Sequence, residues 1–192
     1  MTDIVRATEG VGQLIQRDYW AIIDDSRLRP SEVIGEVAAR FWEFASEDLV
    51  TFSPAGDVGR RGLQVGDELE VDIRLAGRCA VRVVHRDACS LTLATLEGHP
   101  EAGRITFGAY RHQDGRVIFH IRSRARASTA SCLAGYRVVG ESMQTTTWTD
   151  FVERVAVAVG RGAADYVFEE SQQDQDVEAD DDDGPTFIAR GD

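Results

Sequence analysis

Apolar and polar residues alternate along two stretches in the middle of the chain. Glu68–Leu75 sets Leu69, Val71, Ile73 and Leu75 against Glu70, Asp72 and Arg74, and Arg78–Arg86 sets Cys79, Val81 and Val83 against Ala80, Arg82 and Val84. A period of two belongs to a strand with one face in the core and the other toward solvent. Ser90–Leu96 continues the pattern, and Arg104–Arg111 and Arg116–Arg124 flank Asp114-Gly115, a hairpin-turn dipeptide. Parallel pairing needs crossovers of a dozen residues or more, so these short connections predict an antiparallel meander. Upstream, Asp18–Asp24 predicts a first strand and Leu49–Ser53 a short one. Between them Ser31 can cap a helix reaching about Ala45, with Val33, Ile34, Val37, Ala38, Phe41 and Trp42 on one face and Gly35 weakening its middle. Past Ser131 the period changes. Trp148, Phe151, Val152, Val155 and Val159 fall at helical spacing, and Gly160 and Gly162 supply a stop signal. Leu133, Tyr136, Val139 and Met143 extend that face upstream, with an irregularity expected near Gly140 or the Thr145-Thr146-Thr147 run.

Charge redraws the boundaries of this domain. The net charge is −12, but eleven acids and a single base lie between Asp165 and Asp192, leaving the remainder near balance. Glu169–Asp183 holds no base, no aromatic residue and one branched apolar residue, too little to offset its ordering entropy. Residues 165–192 are therefore expected to form an acidic disordered tail, residues 1–16 a polar lead, and residues 17–164 a single domain. No apolar run approaches the roughly 18 residues that span a bilayer, and the first residues lack a signal-peptide pattern, so a cytoplasmic location is expected. Every basic residue is Arg, a bias that fits a GC-rich bacterial genome. Cys79, Cys89 and Cys132 lack metal spacing and read as buried reduced thiols. Cys79 and Cys89 flank a hairpin tip, where a disulfide is also geometrically conceivable.

The candidate chemistry is sparse. His85, His99, His112 and His120 show no ligand spacing, so no metal site and no cofactor are expected. The glycines of PAGDVGRRGLQVGD lack the Gly-Lys-Ser/Thr ending of a phosphate cradle. In Gly98-His99-Pro100-Glu101, His99 and Glu101 could supply a base and a carboxylate; the alternative is a loop shaped by Pro100 and the glycines, with His99 packed on it. His120, Arg122, Arg124 and Arg126 alternate with apolar and small residues, placing a basic stripe on the outer sheet face. The slightly acidic domain and the absence of interleaved aromatics argue against nucleic acid and for a solvated face.

The run Leu96-Glu97-Gly98-His99-Pro100-Glu101-Ala102-Gly103, followed by two strands of which the second ends Ile121-Arg122-Ser123-Arg124-Ala125, resembles an uncharacterised, domain-of-unknown-function branch of the START-like (SRPBCC, helix-grip) superfamily. The resemblance covers roughly Arg17 to Gly160. It implies an α+β helix-grip fold, in which a curved antiparallel sheet wraps a long C-terminal helix and often leaves a cavity. Such a cavity would bind a small, largely hydrophobic, lipid-like molecule. The side chains expected to line it are Val81, Val83, Leu93, Phe107, Phe119, Ile121, Tyr136, Met143 and Trp148, against the alternative that the same set is a filled core. Other readings are a cyclase, dehydratase or hydrolase using His99 or Glu101, and a non-catalytic interaction module. Nothing in the sequence speaks to oligomeric state.

Overall fold

The structure is a computed structural model that describes residues 2–45, 48–54, 58–135 and 141–173. Its elements, in chain order, are β1 (Val11–Ile23), α1 (Pro30–Ala39), α2 (Phe41–Phe44), β2 (Val50–Pro54), α3 (Val58–Arg61), β3 (Glu68–Ile73), β4 (Gly77–Arg86), β5 (Ser90–Thr95), β6 (Glu101–Arg111), β7 (Val117–Ala127), α4 (Ala130–Gly135), α5 (Glu141–Val159) and β8 (Ala163–Gln173). The strands form one eight-stranded sheet in the order β2-β3-β4-β5-β6-β7-β1-β8. Every pairing is antiparallel. This curved sheet wraps α5, the expected helix-grip arrangement, with α1 and α2 on the same concave side.

Strand parity decides which side chains meet the helices. Leu69 and Val71, Val81 and Val83, Leu91 and Leu93, Phe107, and Phe119 and Ile121 all enter one core cluster. They meet Trp148, Phe151, Val152, Val155 and Val159 of α5, the stripe expected from its spacing. At the centre stands Phe41 of α2. Its ring lies 5.1 Å from Phe52, 5.0 Å from Phe107 and 5.1 Å from Phe151, the first two edge-on, as ring quadrupoles favour.

Several boundaries differ from expectation. The helix begins at Pro30 rather than after a Ser31 cap, because proline is pre-set for the first helical position and has no N–H to lose. The Glu32 carboxylate instead accepts the Arg29 backbone N–H at 2.8 Å. The helix also breaks at Arg40, which separates α1 from α2. Strand β1 starts at Val11, and the segment before it pairs with the sheet: the Val5 N–H bonds the Thr95 carbonyl and the Glu97 N–H bonds that of Asp3. The N-terminal lead is thus part of the domain. Strand β8 takes in Asp165–Gln173, which corrects the tail boundary expected at Asp165; residues 174–192 lie outside the described residues. Cys79 and Cys89 are free thiols. No helix among the described residues is long and apolar enough to cross a membrane.

Candidate functional site

The concave face is filled at one end and open at the other. Cross-strand register aligns Leu91, Phe107, Ile121 and Tyr19 in one row, and Leu93, Ile105, Ser123 and Arg17 in the next. The first row is closed by Phe41 and Phe151. The second row looks into a cavity of about 430 Å³, lined by Leu93, Ile105 and Ser123 from the sheet. Val50, Phe52, Val71, Ile73 and Val81 continue the wall, while Met143, Gln144, Thr147 and Trp148 of α5 and Cys132 of α4 face it. The wall is mainly apolar with a few convergent polar groups, the make-up of small-molecule sites.

The expected ligand-contact set divides along this line. Val81, Leu93, Met143 and Trp148 line the cavity. Val83, Phe107, Phe119 and Ile121 do not; they are buried in the closed core, with Phe119 stacked on Phe151 at 6.3 Å between ring centres. The division slants across β4: Val83 pairs with Leu93 on the same face, yet Leu93 borders the cavity and Val83 does not. Tyr136 lies outside the described residues. Val71 and Ile73 were absent from the expected set although their alternation matches that of Val81. Ser123, Gln144 and Thr147 carry no apolar signal at all.

His99 and Glu101 both line the cavity. Gly98 makes the turn that places them: its φ of +91° lies in the left-handed region open to glycine, and the His99 N–H closes on the Leu96 carbonyl at 3.0 Å. Two residues beyond Glu101, a Cβ on Gly103 would clash with the Arg124 carbonyl oxygen, so only glycine lets β6 close on β7 here. His99 is 9 % exposed. Its Nδ1 lies 3.0 Å from the Glu101 N–H and 3.1 Å from the Glu101 carbonyl. The amide always carries its hydrogen and takes Nδ1 as acceptor, which assigns the neutral ring's proton to Nε2. Burial pushes the imidazole down to about 4, so the ring is neutral at neutral pH. The Glu101 carboxyl accepts from Gln144 Nε2 at 2.7 Å, tying the loop to the first turn of α5. Trp148 is 9 % exposed, and its Nε1–H has no hydrogen-bond partner among the described residues. The Cys132 thiol is held below its ordinary value by hydrogen bonds with Thr129 and Ser128.

The outer face departs from the solvated stripe expected of it. His120 is 6 % exposed; its Nε2 donates to Asp18 Oδ1 at 2.7 Å, and its Nδ1 lies 3.1 Å from the Tyr110 hydroxyl. Arg122 donates from Nε to the same carboxylate oxygen at 2.5 Å. Burial alone would raise Asp18, but the bonds from His120 and Arg122 outweigh it and hold the carboxyl below its usual range. Alternation identified the outer side of β7 but not the aspartate on β1 that neutralises part of it. Among the described residues no three His, Cys, Asp or Glu side chains converge as a metal site.

Comparisons with known proteins agree with this architecture. Residues 35–154 match the family described as "Domain of unknown function (DUF1990)". No curated protein matches the sequence. Among solved structures, the KanY protein is similar at a TM-score of 0.56 and 8% identity, over 78% of this chain and 99% of that one. A norcoclaurine synthase point mutant from Thalictrum flavum, bound to a transition-state analogue, scores 0.51 at 11% identity, over 77% and 98%. Major latex-like protein 151 from Panax ginseng scores 0.51 at 14% identity, over 77% and 99%. At such identities the likeness is one of fold.

Proposed function

Because this chain belongs to the DUF1990 family, a domain of unknown function, we propose from the cavity itself that it binds a small, largely hydrophobic molecule between the sheet and α5. The observation that carries the reading is an apolar cavity of about 430 Å³ beside an otherwise closed aromatic core. That volume lies within the range of roughly 300–1,000 Å³ typical of ligand pockets. Native mass spectrometry of the purified full chain should reveal a bound species of a few hundred daltons, or, after its removal, saturable one-to-one binding of N-phenyl-1-naphthylamine with a blue-shifted emission. A chain that purifies empty and fails to take up the probe would overturn the reading.

A second reading, acid–base chemistry on the bound molecule, is favoured by the meeting of His99 and Glu101 on one wall. A ring held down to about 4 is a weak base, and its Nε2–H is a donor. In this reading Glu101 takes the proton and His99 polarises an oxygen of the substrate. Glu101→Gln should then abolish turnover of the co-purified compound while leaving its binding measurable.

A further inference from the structure

We propose that Leu75, at the turn between β3 and β4, stands at the mouth of the cavity and closes over a molecule bound there, so that it sets how fast that molecule leaves. The inference rests on the binding reading above and names the entrance of the same site. One face of β3 runs from core to water. Leu69 is fully buried in the closed core, Val71 (3 % exposed) and Ile73 line the cavity, and Leu75 borders it while 81 % exposed. Its neighbours Arg74 and Ala76 also border the cavity and are exposed. Every other described residue of the lining is buried or half-buried, so the cavity meets water at this turn. The backbone sets Leu75 apart as well. The Ala76 N–H closes the turn on the Ile73 carbonyl at 3.0 Å, and Leu75, at the third position, has a φ of +75°. That left-handed conformation suits glycine or asparagine; a leucine there carries backbone strain and leaves an apolar side chain in water. Such strain persists at binding sites where something offsets it, and an apolar molecule at the mouth would offset both costs. The base of the turn is held, since the Arg74 N–H bonds the Leu49 carbonyl at 3.0 Å and Ile73 pairs with Gly77. Closure therefore needs the Leu75 side chain and not the sheet.

Stopped-flow mixing on the full chain measures association and dissociation of N-phenyl-1-naphthylamine for the wild type, Leu75→Gly and Leu75→Asn, with Val65→Ala as the reference. Glycine and asparagine both suit the positive φ, but neither offers apolar cover. Dissociation should be about 5-fold faster in both variants, the loss of part of one leucine's apolar contact. Association should change less, so that affinity falls mainly through the faster release. Both variants should melt at or above the wild-type temperature, because strain is relieved and the side chain removed was exposed. Val65 is 60 % exposed and does not border the cavity, so Val65→Ala should leave both rates unchanged. Unchanged dissociation in both Leu75 variants would overturn the proposal while leaving the binding reading intact. So would equal acceleration in Val65→Ala, or acceleration in Leu75→Gly alone, which would assign the effect to a looser backbone. A lower melting temperature in both Leu75 variants would overturn it too, by showing that the side chain packs within the protein itself. A wild type that fails to take up the probe would instead overturn the binding reading.

Discussion

A single buried imidazole makes the stability of this protein depend on pH in a defined window. His99 has an ordinary value of 6.5 and is pushed down to about 4 in the fold, by burial. Between those values an unfolded chain is protonated at His99 while the folded one is not. Its contribution is therefore fully present above about pH 6.5 and is lost as pH falls toward about 4, a total on the order of 3 kcal/mol. His99→Gln, which retains a side-chain acceptor for the Glu101 N–H, should remove that part of the slope. Urea unfolding at about pH 7 and about pH 4.5 checks it: the wild type should lose on the order of 2 kcal/mol more than the variant. Equal losses would mean that the ring is hydrated. The Gly98-His99-Pro100-Glu101 run was legible as a special loop, since two glycines and a proline in six residues punctuate the meander. Its pairing with Gln144, forty-three residues away, was not, because no local spacing encodes a contact between a strand start and a helix face.

At the level of elements, alternation located β3 to β7 to within a few residues and helical spacing located α5, but β8 escaped. Its sequence, AADYVFEESQQ, is rich in acids and amides because an edge strand buries only part of one face and uses charge to discourage further pairing. What anchors it is non-local. Phe168 stacks on Tyr19 at 5.0 Å between ring centres, and Glu170 accepts from Arg17 Nε at 2.9 Å. Arg17 is only 2 % exposed and would lose an ion-pair partner without β8. Two neighbouring substitutions test this seating. Glu170→Ala should destabilise by about 2 kcal/mol, less than a fully buried pair because the Glu170 carboxylate keeps some contact with water. Glu169→Ala, on an exposed residue next to it, should stay within about 0.5 kcal/mol. Thermal melts of the two variants compare them directly, and equal, negligible shifts would show that Glu170 does not hold Arg17 in solution.

For the molecule as a whole, the decisive feature is that one concave face is closed at one end and hollow at the other. Parity could place a side chain on that face but not at a depth along it, so Phe107 and Phe119 were assigned to the same lining as Leu93. The depth is set by α1 and α2, whose break at Arg40 drives Phe41 against Phe107 and leaves the row beyond uncovered. Leu91 and Leu93 are successive inward residues of β5, both essentially fully buried, yet Leu91 stands in the closed row and Leu93 in the open one. The same enlargement should therefore have opposite consequences at the two positions. Leu91→Phe forces extra volume into a packed core and should cost about 1–3 kcal/mol, with probe binding retained in the folded fraction. Leu93→Phe can place its ring in the cavity; it should cost less than about 1 kcal/mol and weaken the binding of N-phenyl-1-naphthylamine at least several-fold, because the added ring occupies space the probe needs. Denaturant unfolding and probe titration, run on both variants, give the two readouts. Equal destabilisation at both positions would mean that the cavity is collapsed in solution, and the binding reading would fall with it; mild cost at Leu93 with unchanged probe affinity would place the probe elsewhere on the protein.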